Sequence, residues 1–180
     1  EIVMGRIEER WQIAPAGLLV VPYILAATLR SDNFGDTYAY RSVFREAPSK
    51  IAALPLYLEG IKKDKGFSVF MVVFKSFIGN SSVCFFLIIA AIQMLCMAFI
   101  YRKYSENYWM SIFVFVAGTD YMSWCHNGIR QFLAIAIIMA GFPLLLKRKY
   151  IPLIAIILLG ATFHASALLM IPIIFIVQGK

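Results

Sequence analysis

Asn127-Gly128-Ile129-Arg130-Gln131 lies between two long apolar runs, and its reading decides what surrounds it. Upstream, Trp109 to Ala117 is almost wholly apolar; downstream, Phe132 to Leu146 carries no charge. A guanidinium stays ionised at any accessible pH, so placing one beside hydrocarbon is costly unless something pairs with it. On a helix, Asn127, Arg130, Gln131, Ala134, Ile138 and Gly141 share one face at i, i+3, i+4, i+7 spacing. That face is polar at one end and mostly small further in, which suits the interior of a protein bundle and not lipid. An arginine there either snorkels to headgroups as a topology anchor or meets an anionic ligand.

Composition agrees with a membrane setting. The chain is 61% hydrophobic and 15% charged, with a mean hydropathy of +0.77, against roughly half apolar and a quarter charged in soluble domains. The expected fold is all-α, a polytopic transmembrane helical bundle forming one domain over residues 1–180. A net charge of +7 then reports loop topology and contact with anionic headgroups, and not nucleic acid. Cys84, Cys96 and Cys125 form no CxxC and no metal spacing, so no metal site and no cofactor are expected. A start at Glu1 without an initiator methionine, and a stop at Lys180 straight after an apolar run, suggest an excerpt of a longer protein.

A hydrocarbon core of about 30 Å needs roughly 20 helical residues. About five spans meet or approach that length: Ile13 to Leu29, Val83 to Tyr101, Tyr108 to Ser123, Phe132 to Leu146 and Ile151 to Val177. Arg102-Lys103 and Lys147-Arg148-Lys149 lie two spans apart, so the positive-inside rule puts both in the cytoplasm. The link carrying Arg130 and the long polar region 30–82 then face outside. Within that region Asp36 can cap a short helix on which Thr37, Tyr40, Arg41 and Phe44 share a face. Residues 67–79 read as an amphipathic, interfacial or re-entrant helix, with Phe67, Phe70, Met71, Phe74 and Ile78 opposite Ser68, Lys75, Ser76 and Gly79.

Three polar groups are expected on the outer side: Asp36 with Arg41, Arg130 with Gln131, and His164. His164 lies about 13 residues into its span, roughly 20 Å at 1.5 Å per residue. It reads either as a base near neutral pKa or as a core histidine bonded to a carbonyl. Asp36 reads equally as a plain cap, Arg41 as its ion-pair partner, and Lys62, Lys63 and Lys65 as a headgroup-facing patch. Nothing matches HExxH, a P-loop, GxGxxG or GxSxG.

Gly35-Asp36-Thr37 with Tyr40 and Phe44, then Gly66-Phe67 opening an amphipathic helix, resembles the first half of EpsG-type proteins. Asn127-Gly128-Ile129-Arg130-Gln131-Phe132-Leu133-Ala134, followed by Phe163-His164-Ala165-Ser166-Ala167-Leu168, resembles the second half. The family comprises Wzy-like exopolysaccharide and O-antigen polymerases, and the resemblance covers about residues 27–177. One departure is that Lys63-Asp64-Lys65 stands where acidic and proline residues often precede the glycine–aromatic pair; another is that members are roughly twice as long.

The resemblance implies a metal-independent glycosyltransferase of the bacterial cytoplasmic membrane with an outward-facing site. It would move glycan from undecaprenyl diphosphate onto another lipid-linked repeat unit. Arg130 would hold the diphosphate with Arg41 and Gln131 assisting, and His164 or Asp36 would handle the acceptor proton. Asn127, Thr37 and Tyr40 would complete the substrate contacts. A lipid-linked-glycan flippase, or a non-catalytic component of a polysaccharide assembly complex, would use the same cations.

Overall fold

The computed structural model describes residue 18, residues 20–118 and residues 120–178. All regular structure among them is helical. In chain order the helices are α1 (20–28), α2 (Thr37–Glu46), α3 (Leu54–Glu59), α4 (Lys65–Phe77), α5 (Ser82–Tyr104), α6 (Tyr108–Ala117), α7 (Asp120–His126), α8 (Ile129–Ala140), α9 (Phe142–Leu146), α10 (Tyr150–Phe163) and α11 (Met170–Gln178). Short 3-10 turns occupy Ile51–Ala53 and Ala165–Leu169. The beginning of the first expected span, residues 13–17, lies outside the described residues.

The organising element is α5, whose 23 residues make it the one described helix long and apolar enough to cross a membrane. Ser81 caps it, its hydroxyl accepting from Cys84 N at 3.3 Å, and Arg102 and Lys103 complement the other end of its dipole. The other expected spans are interrupted. α6 ends at Gly118, where extended backbone separates it from α7. α8 ends at Gly141, and Pro143 lies in the first turn of α9. α10 ends at His164, whose backbone is extended. A count of about five full crossings is therefore not established by helix length, since α6, α8, α10 and α11 have 10, 12, 14 and 9 residues.

An aromatic cluster joins the loop region to the bundle. Phe85 is fully buried at its centre, stacked on Phe44 at 4.4 Å between centroids and edge-on to Phe74 at 5.3 Å. Phe67 and Phe70 complete it, and Phe70 reaches Phe163 of α10. α4 is thus fixed by core burial, and part of the polar side expected from its sequence is turned inward, while Ser76 stays half-buried. Ser68 and Lys75 are buried. The Lys75 amine donates to Phe44 O at 3.0 Å, Arg45 O at 3.1 Å and Ala47 O, satisfying carbonyls left open at the end of α2.

At the opposite end of α5, Tyr104 meets Phe142 edge-on at 5.0 Å, bringing the two basic clusters toward one end of the bundle. α8 runs beside α5. Its start is held by Gln93, whose amide donates to Ile129 O at 3.3 Å. Gln93 is about 11 residues, or roughly 16 Å, into α5. The turn before α8 therefore lies beside the middle of α5, deeper than a link outside the bundle would.

Candidate functional site

Two aspartates, Asp36 and Asp64, precede α2 and α4 at the cap positions, and neither side chain caps its helix. Both carboxylates go instead to the turn that opens α8. Asp36 Oδ2 accepts from Gly128 N at 2.9 Å, and Asp64 Oδ2 pairs with Arg130 Nη1 at 2.8 Å. The backbone reinforces the first contact, since Asp36 N donates to His126 O at 3.2 Å. Gly35 makes this approach possible: a Cβ there would lie 2.7 Å from His126 O, and its φ of +55° is one that side chains rarely adopt. Gly66 does the same for α4, since a Cβ would sit 2.8 Å from the backbone of Thr162 on α10.

The residues before Asp36 clasp the same turn from behind. The Arg30 guanidinium donates to Cys125 O, lies 4.1 Å from the Phe86 ring centroid and is only 7% exposed. A guanidinium stays cationic in proteins, and the Cys125 carbonyl and the Phe86 face offset its burial. Arg41 shares the Phe86 ring, pairs with Asp32 and reaches Arg30 O at 3.5 Å. Arg30 was not marked by sequence reading; as a residue ending an apolar run it carried no signal beyond that of a span boundary.

Arg130 faces a cavity of about 710 Å³. Asp36, Lys62, Lys63, Ser68 and Arg130 supply its polar wall, with Tyr40, Phe67, Met71, Val43 and Ile61 among its apolar lining. The guanidinium carbon of Arg130 sits 5.7 Å from the Tyr40 ring centroid, and the side chain is 41% exposed. Three cations therefore border one recess, and of the two carboxylates nearby one is already paired with Arg130. Such a recess attracts a polyanion and offers aromatic surface beside it.

Of the residues expected from the sequence, Arg130, Asp36 and Tyr40 are brought together on this cavity. Thr37 is buried and donates to Phe34 O. Asn127 packs against Gly35, and Gln131 follows Arg130 in the first turn of α8. Arg41 is turned toward Asp32 and Phe86. His164 does not line the cavity; its Nδ1 is 2.7 Å from Ser166 Oγ and also accepts from Ser166 N at 3.4 Å, capping the 3-10 turn. Its neighbours Thr162 and Phe163 nevertheless contact Gly66 and Phe70 of α4. Lys62 and Lys63, read as a headgroup patch, lie on the cavity wall, and Asp64 enters as the partner of Arg130. The sequence marks Asp64 only as the middle of Lys63-Asp64-Lys65 before Gly66-Phe67, with nothing to single it out as a partner of Arg130.

Among the described residues, no group of three or more His, Cys, Asp or Glu side chains is placed to hold a metal ion. No curated protein and no solved structure matches the chain. A sequence model of the EpsG family matches residues 14–180 and so covers every element of the site. The chain belongs to the EpsG family, membrane proteins of polysaccharide-polymerase type.

Proposed function

We propose that the Arg130 cavity binds the diphosphate of a lipid-linked glycan and transfers the glycan to a hydroxyl of a second lipid-linked repeat unit. The observation that carries this reading is the convergence of Arg130, Lys62, Lys63 and Asp36 on one recess beside Tyr40. As the bond between the anomeric carbon and the phosphate oxygen breaks, its electron pair leaves with the diphosphate. Arg130, Lys62 and Lys63 stabilise that growing charge. The acceptor oxygen forms the new bond to the anomeric carbon, and its proton passes to a base. Asp36 fits that role better than His164 because it lines the cavity, with one oxygen held by Gly128 N. Tyr40 offers a ring face to a sugar.

The substrate is undecaprenyl-diphosphate-linked oligosaccharide, and the cavity opens to the outer face of the bacterial cytoplasmic membrane. That orientation follows from the basic clusters gathered at the other end of α5. Purified full-length protein supplied with lipid-linked repeat units should yield a ladder of longer glycans; unchanged input would refute the reading. A lipid-linked-glycan flippase is favoured by one feature, the helix breaks at Gly118, Gly141 and His164. It predicts movement of intact substrate across a vesicle membrane with no new glycosidic bond.

A further inference from the structure

We infer that Asp64 is a positioning residue for Arg130, aiming its guanidinium into the cavity instead of capping α4. The inference rests on the reading of that cavity as a diphosphate site. Aspartate at the residue before a helix ordinarily takes extended backbone and accepts from an amide of the first turn. This chain shows the ordinary behaviour elsewhere: Ser81 and Asn107 are extended and accept from Cys84 N at 3.3 Å and Met110 N at 3.1 Å. Asp64 does neither. Its backbone is left-handed, φ 55° and ψ 41°, and its side chain makes no cap bond. The left-handed backbone is one that aspartate tolerates better than most residues, and with the side chain turned away the first-turn amides of α4 lose the acceptor a cap would give. What these departures achieve is the 2.8 Å contact with Arg130 on a helix distant in the sequence.

The exposures of the pair differ in a way that assigns the roles. The Asp64 side chain is 11% exposed and the Arg130 side chain 41%. A ligand in the cavity reaches the guanidinium, while the carboxylate stays behind it and off the cavity wall. The same contact anchors the loop that carries Lys62 and Lys63, the two residues directly before Asp64. Gly66, fitted against Thr162, fixes the chain on the other side. One ion pair thus sets the direction of Arg130 and ties to it the stretch of backbone that carries two exposed lysines. Fixed charge geometry of this kind is what makes a cation selective for a diphosphate.

The test uses the full chain in detergent micelles and farnesyl diphosphate as the probe, with binding followed by calorimetry. Asp64→Gly removes the carboxylate and accepts the left-handed backbone without strain; Asp64→Asn accepts it and keeps an oxygen acceptor. Unfolding temperature is measured beside binding, and dissociation constants are compared well below the lowest of them, so that loss of the ion pair's stability is not read as loss of the site. Asp64→Gly should weaken farnesyl diphosphate binding about tenfold or more, and Asp64→Asn should restore part of the loss. In an Arg130→Ala background neither substitution should change the dissociation constant further. Parent-like or tighter binding by Asp64→Gly would overturn the inference, making the carboxylate a competitor for the guanidinium. An equal loss in the Arg130→Ala background would overturn it too. If Arg130→Ala weakens binding and Asp64→Gly does not, only the role of Asp64 falls; if Arg130→Ala binds like the parent, the diphosphate reading falls with it.

Discussion

Replacing Asp36 by alanine removes the acceptor for Gly128 N, the bond that joins the loop before α2 to the turn before α8. A hydrogen bond from a backbone amide to a carboxylate contributes about 1.5–3 kcal/mol. The backbone contact from Asp36 N to His126 O survives the change, so the loss should fall within that range and not exceed it. The reporter is already in place, because Trp124 of α7 stacks on Phe132 of α8 at 5.0 Å across this turn. Trp124 fluorescence, read in a background where Trp11 and Trp109 are phenylalanine, should shift before global unfolding in Asp36→Ala. Asp36→Asn separates the two tasks of the residue. Its amide oxygen can still accept from Gly128 N, so the turn should hold, yet the side chain can no longer take a proton. A stable Asp36→Asn protein with little transfer supports the base, and a stable one with parent turnover leaves Asp36 a clasp alone. An Asp36→Ala protein with parent stability and unshifted Trp124 emission would refute the clasp.

Phe85→Ala empties the centre of the aromatic cluster and should cost about 3–5 kcal/mol, measured as a fall in unfolding temperature. Lys62→Glu with Lys63→Glu should reverse the charge on one cavity wall, and binding of farnesyl diphosphate should drop at least tenfold with unfolding unchanged.

The elements legible in the sequence were those set by local pattern. An uninterrupted apolar run gave α5, and the Phe67–Ile78 spacing gave α4 to within two residues at its start. Asn127–Arg130 stands out as polarity between two apolar runs, but the helical face read from Asn127 begins only at Ile129, because left-handed Gly128 breaks the chain before it. What stayed hidden was the choice of partner, which depends on distances that only the fold creates. Asp64 stands among three lysines, where a carboxylate reads as solvated charge; its left-handed backbone and its reach to Arg130 leave no local trace. Lys75 looked like the polar side of an interfacial helix, and it is buried because three carbonyls at the end of α2 need a donor. Hydropathy also ran through the breaks at Gly118 and Gly141, because glycine is apolar enough to leave the running average unchanged while ending the helix.

A permanent cation aimed into a recess does its work through direction as much as through charge, and lysine can replace only the charge. The decisive measurement is the glycan transfer rate of Arg130→Lys against the parent, in purified full-length protein with lipid-linked repeat units. A bidentate diphosphate site predicts a fall of roughly a hundredfold or more, with membrane insertion and unfolding temperature preserved. Parent-like transfer by the lysine variant would contradict the account and leave Arg130 a structural residue.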